Sequence, residues 1–164
     1  MSTKKKKRDK AYKPKNCYTN VIKTVFGGMI GSHHEHTIEV MAKTYAAVAD
    51  IAEGRGGKDE FDRIVGALNM ANVMCEQGYA PEYRAELLAA RDAMMALGVR
   101  AMKSGVFAFE GEEQRQVADA LATHDAQLEN ARSIDIDRAF DEVNRRIKNR
   151  INTKSVMREI KAGA

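Results

Sequence analysis

His33, His34 and His36 crowd into four positions around Glu35, and a fourth histidine, His124, stands directly before Asp125. Imidazole beside carboxylate can ligate a metal or exchange protons. His33 and His36 are three apart and share one face if the segment is helical. A metal site needs three or four ligands held by a supporting shell. No Cys-x-x-Cys, His-Glu-x-x-His or distant carboxylate cluster supplies the rest. The turn therefore reads as imidazoles in an exposed first helical turn, and no metal is expected. His124 falls in an apolar row with Val117, Leu121, Leu128 and Ala131. Adjacent residues on a helix point about 100° apart, so Asp125 is badly placed to orient that ring. His124 reads as a core histidine. Cys17 and Cys75 make no disulfide framework and read as two reduced thiols of a cytoplasmic protein. No nucleophile, base and oxyanion donor converge. The expectation is binding rather than catalysis, without a cofactor.

The charges carry more. Residues 1–16 hold Lys4, Lys5, Lys6, Lys7, Arg8, Lys10, Lys13 and Lys15 against Asp9 alone, a net +7. Residues 17–137 hold 11 basic and 19 acidic side chains, and residues 138–164 hold 8 basic and 3 acidic, within a chain of net +4. The sequence thus divides into a basic arm (1–16), a mainly acidic body (17–150) and a basic C-terminal extension (151–164). A lysine run has nothing apolar to bury and repels itself, so the arm is expected to be disordered on its own. Eight cations within twelve positions suit phosphate gripping by counterion release. Tyr12 adds one ring for stacking. Arg145, Arg146, Lys148 and Arg150 extend the candidate phosphate surface near the C-terminus. Asp141→Arg145 and Glu142→Arg146, spaced i,i+4, place part of that charge on a solvated helix face.

Helices must position these groups. Phe61, Ile64, Val65, Leu68, Ala71, Asn72 and Cys75 recur at helical spacing, as do Tyr83, Leu87, Ala90, Met94, Leu97 and Ala101. Between them Gly78-Tyr79-Ala80-Pro81 offers a left-handed stop and a proline for the next first turn. A link that short lays the two helices side by side as an antiparallel hairpin. Asn69 and Asn72, on or beside the first stripe, need polar partners inside the domain or at a subunit interface.

Ahead of the hairpin, Ser32 and Glu35 form a capping box for a helix with the stripe Ile38, Met41, Ala42, Tyr45, Val48 and Ala52. It stops at Gly54, Gly56 and Gly57. Val21 to Ile30 is an apolar packing segment, interrupted by Lys23 and two glycines and far short of the roughly 20 residues a membrane span needs. After Gly105, Val106 to Phe109 runs extended, with its two aromatics plugging the bundle end. The chain from Glu112 to Lys161 has neither Gly nor Pro, and splits into the His124 helix and one with the stripe Ile136, Ala139, Phe140, Val143, Ile147 and Ile151. The expected fold is an all-α bundle of five main helices. The start lacks the apolar region of a signal peptide.

Tyr12-Lys13-Pro14-Lys15, Leu68-Asn69-Met70-Ala71 ahead of Gly78, and His124-Asp125-Ala126-Gln127-Leu128-Glu129 resemble, in register, a set of small helical proteins encoded by phages and prophages of proteobacteria. The resemblance implies a mobile-element setting and no catalytic residue. Three functions follow as expectations. A nonenzymatic binder grips nucleic acid or a nucleoprotein through the arm and terminal helix. An inhibitor of a host defence complex, anti-CRISPR-like, presents the acidic body to a host protein. A virion-associated structural protein is the third. A metal-dependent nuclease built on the histidine turn ranks below these for want of ligands. An oligomer is compatible with each.

Overall fold

A computed structural model describes residues 33–149 of the 164-residue chain. The arm, the Val21 to Ile30 segment, Ser32 of the capping box, Arg150, Ile151 and the C-terminal extension lie outside the described residues. Five α-helices succeed one another: α1 (His33–Ala52), α2 (Lys58–Glu76), α3 (Arg84–Ser104), α4 (Glu113–Asn130) and α5 (Ser133–Lys148). A single 3-10 turn, Pro81–Tyr83, leads into α3. Among the described residues there is no strand, and the fold is an all-α bundle.

The bundle is organised around α2, which packs against α1, α3, α4 and α5 alike. No charge interrupts Ile64 to Cys75, and nine of those twelve positions are buried. A one-sided stripe describes this helix incompletely. Met70, Val73 and Met74 face inward as fully as Ile64 and Leu68, because a helix with so wide an apolar face is covered by more than one neighbour. Each large side chain enclosed there contributes about 1.5–3 kcal/mol relative to exposure. Around α2, α3 and α4 lie along each other and α1 touches α4.

The chain turns out of α2 by a Schellman motif. Tyr79 N–H donates to the Met74 carbonyl at 3.0 Å and Gly78 N–H to that of Cys75 at 3.0 Å. Gly78 takes φ +96°, where a side chain is strained. A second glycine acts through space. A Cβ at Gly98 on α3 would sit 2.9 Å from the tip of Phe61. The bare backbone there lets α3 lie against that ring. Phe61 in turn meets Phe107 with centroids 5.4 Å apart, so Phe107 and its half-buried neighbour Phe109 cover the core after α3, as expected.

Two expected stripes are corrected. The inward face of α1 is Met41, Thr44, Ala47, Val48 and Ile51, whereas Ile38, Ala42, Tyr45 and Ala52 are exposed. Thr44 can be buried because its hydroxyl donates to the Val40 carbonyl at 2.9 Å, so the inward face runs through Thr44 rather than Tyr45. Tyr83 belongs to the 3-10 turn rather than to the buried face of α3 and is exposed. The stripes of α4 and of α5 as far as Ile147 pack as expected.

Ala80 is the only non-glycine residue with positive φ among the described residues, at φ 53°, ψ 51°. Its Cβ strains this conformation by about 1 kcal/mol. Ala80→Gly is expected to raise stability by about 0.5–1 kcal/mol, read as a higher urea midpoint with unchanged slope.

Candidate nucleic-acid interface

Of the twelve cations expected to contact phosphate, nine (Lys4, Lys5, Lys6, Lys7, Arg8, Lys10, Lys13, Lys15 and Arg150) lie outside the described residues. Arg145, Arg146 and Lys148 form the last turn of α5, where positive charge also favours the carbonyl end of the helix dipole.

Arg146 is committed elsewhere. Its guanidinium grips both carboxylate oxygens of Glu76 at the end of α2 and donates through Nε to Glu142 at 2.7 Å. The Arg146 bonds hold the Glu76 carboxyl below its ordinary range, and Arg146 itself is raised, chiefly by Glu76. Arg145 also turns to Glu142, at i−3 rather than to Asp141 at i−4, with N–O distances of 2.6 and 2.7 Å. With Arg145 first and Arg146 second as causes, the Glu142 carboxyl is pushed down to about 2. Lys148 is exposed and makes no ion pair among the described residues. The described part of the terminal helix therefore offers one free cation and one shared one, and Arg146 serves as a strap between α5 and α2.

The body around it is acidic: residues 33–149 carry 14 Lys/Arg and 21 Asp/Glu. Tyr45 at the surface donates its hydroxyl to Asp125 at 2.8 Å and ties α1 to α4. Burial first, then Asp125, pushes the phenol upward, and burial raises the Asp125 carboxyl as well. Among the described residues no three His, Cys, Asp or Glu side chains gather as a metal site. The side chains of His33, His34, Glu35 and His36 lie outside what is described. Cys75 is buried, its thiol raised first by burial and directed at the Ala80 carbonyl 3.7 Å away. Such a thiol is a poor nucleophile at neutral pH. No helix among the described residues is long and apolar enough to cross a membrane.

His124 is fully buried, and its partner is Gln127, with Nδ1 3.3 Å from Oε1. The Gln127 amide donates to the carbonyls of Ala71, at 3.1 Å, and Tyr79, at 2.9 Å. Both amide hydrogens being used, Oε1 is the acceptor facing the ring. Nδ1 therefore carries the imidazole proton, a tautomer assigned from the network. The bare Nε2 has no partner among the described residues. Burial, opposed by the Gln127 bond, lowers the His124 pKa to about 4.

Tyr79 reaches onward. Its hydroxyl donates to Asp135 Oδ2 at 2.8 Å, and Arg132 and Arg138 complete the carboxylate at 2.8 and 3.2 Å. Arg132 first and Tyr79 second hold the Asp135 carboxyl below its ordinary range. Gln127, Tyr79 and Asp135 escaped the sequence reading. A glutamine three positions after His124 on an otherwise apolar face was the available signal. Asn69 and Asn72 are both half-buried. The Asn72 amide donates to Glu76 on its own helix at 3.2 Å, whereas its Oδ1 is buried without a partner among the described residues.

No family model matches the chain, and neither the curated proteins nor the solved structures yield a match.

Gln127→Leu strands the Tyr79 carbonyl and the His124 N–H in the interior, and is expected to destabilise by about 2–4 kcal/mol in urea unfolding. His124 binds its proton more readily unfolded, near 6.5, than folded, near 4. Its contribution is thus whole above about pH 6.5 and is lost as pH falls toward 4. Unfolding free energy is expected to drop by about 2 kcal/mol between pH 7 and pH 5. In a folded His124→Gln variant that drop should shrink by about the same amount.

Proposed function

We propose that this chain is a nonenzymatic accessory protein of a phage or other mobile element that grips nucleic acid or a nucleoprotein through Lys4 to Lys15. The observation that carries the reading is charge segregation: +7 in sixteen residues, joined to a helical body with an excess of carboxylates. An acidic bundle repels a polyanion, so attraction falls to the arm. Lys148 supplements it, together with Arg150, and Arg145 does so only in part because Glu142 shares its guanidinium. Arg146, which was expected to join them, is left out because its donors are engaged with Glu76 and Glu142.

The same acidic body supports a second reading, in which it contacts the basic nucleic-acid channel of a host defence enzyme as an inhibitor. The resemblance to phage and prophage proteins fits either use.

The two readings part in one experiment. Full chain and a chain starting at Cys17 are titrated with short DNA and RNA duplexes and single strands across salt. Under the first reading, duplex affinity falls by about 10³–10⁵ between 50 and 200 mM salt, as for 6–10 phosphate contacts, and most binding is lost on truncation. Arg146→Gln should leave affinity within about twofold, because a guanidinium already paired on both sides releases few counterions. Equal binding by both chains would sink the arm as the phosphate device. If neither chain binds, the acidic surface becomes the functional one.

A further inference from the structure

A cleft of about 250 Å³ opens between the first turns of α1, the last turns of α4 and the start of α5. Its apolar walls come from Ile38, Met41, Leu128 and Ile136, and Asp125 and Glu129 stand on the α4 side. Met41, Leu128 and Ile136 are at least 94% buried, but Ile38 between them and solvent is 58% exposed. Ile38 thus extends the apolar lining of the cleft out to solvent.

The chain itself supplies a fitting occupant. α1 begins at His33, one helical turn before Thr37, about 6 Å along the axis. Immediately upstream, Val21, Ile22, Val25, Phe26, Met29 and Ile30 place six large apolar side chains in ten positions. Gly31 and Ser32 are all that separates them from α1. Two residues span at most ~7 Å, so the chain length alone keeps the segment within reach of the cleft. Such a tether raises its local concentration to the millimolar range or above. Lys23, the one charge in the segment, complements the carboxylates of Asp125 and Glu129.

We propose that this cleft is the seat of the chain's own Val21–Ile30 segment, which fastens the basic arm to the α1–α4 side of the bundle. The inference is independent of whether the arm binds nucleic acid.

The chain has no tryptophan, so Phe26→Trp in the full chain is a single reporter. Its emission should be blue-shifted from that of free N-acetyl-tryptophanamide, and its acrylamide quenching several-fold slower. Both should be unchanged over a hundredfold dilution. Adding Ile38→Asp, at an exposed position, should move emission to the red while far-UV circular dichroism stays constant. A second measurement does not depend on the tryptophan. In a Cys17→Ser background, with Cys75 buried, Ile38→Cys should react with a maleimide at least about tenfold faster once Val25→Asp and Phe26→Asp are added. Water-like emission in the parent reporter overturns the proposal. So does a blue shift indifferent to Ile38→Asp. A blue shift that fades on dilution as a dimer dissociates assigns the cleft to a second copy and overturns it too.

Discussion

Everything in the described bundle depends on enclosing one helix. From Ile64 to Cys75, α2 carries no charge, and only the side of Val65, Asn69 and Asn72 is left half-buried. Burial on that scale is available only if several helices pack on it at once, and α1, α3, α4 and α5 do. The small residues along it set how close they come. Ala67 and Ala71 are buried to 1% or less. A helix with Leu at those positions would hold its neighbours off and open voids around Met70 and Met74. Methionine, unbranched and adaptable, fills the remaining irregular spaces.

An enclosed helix has the further problem of its ends. The last carbonyls of α2 have no partner within the helix and need one beyond it. The Schellman turn satisfies Met74 and Cys75, and Gln127 adds a donor to Ala71 and holds Tyr79 in place. From there the Tyr79 hydroxyl continues to Asp135, so one connected network locks the α2–α3 turn to the start of α5. The strain at Ala80 is tolerated because both sides of it are fixed, by Gln127 on Tyr79 and by the proline that follows. His124 is the least satisfied member: one nitrogen bonded, one bare, in surroundings that disfavour its charged form.

The sequence made the framework readable where local chemistry and tertiary burial agree. Gly78 is the left-handed stop that a glycine before a new apolar row suggests, and the rows from Val117 to Leu128 and from Ile136 to Ile147 are the packed faces. It was opaque where burial depends on partners. On α1, Ile38 and Tyr45 have the spacing of a core stripe, yet Thr44 is the residue inside, a choice made by where α2 and α4 approach. Gln127 looks like a surface glutamine until Ala71 and Tyr79, 56 and 48 residues away, require its donors. Arg146 looks like a phosphate contact until Glu76, 70 residues away, arrives beside it. Of the candidate phosphate surface, charge was readable and availability was not, since availability is a property of the fold.

Arg146 also shows why charge segregation favours an arm over a face. On the bundle, cations stand among carboxylates: Arg100 with Glu113, Arg132 and Arg138 with Asp135, and Arg145 and Arg146 with Glu142. Drawing such a cation to a phosphate means breaking its ion pair and leaving a carboxylate facing the polyanion. The gain is then a difference between two similar energies. Within residues 1–16 the sequence sets eight cations against one aspartate, so a phosphate would meet little local competition there. Twelve residues, Lys4 to Lys15, can span up to ~40 Å, several times the ~8 Å over which the body's negative field persists in physiological salt. If the chain holds a polyanion, as proposed, that length is enough to carry lysines beyond the repulsion of the bundle.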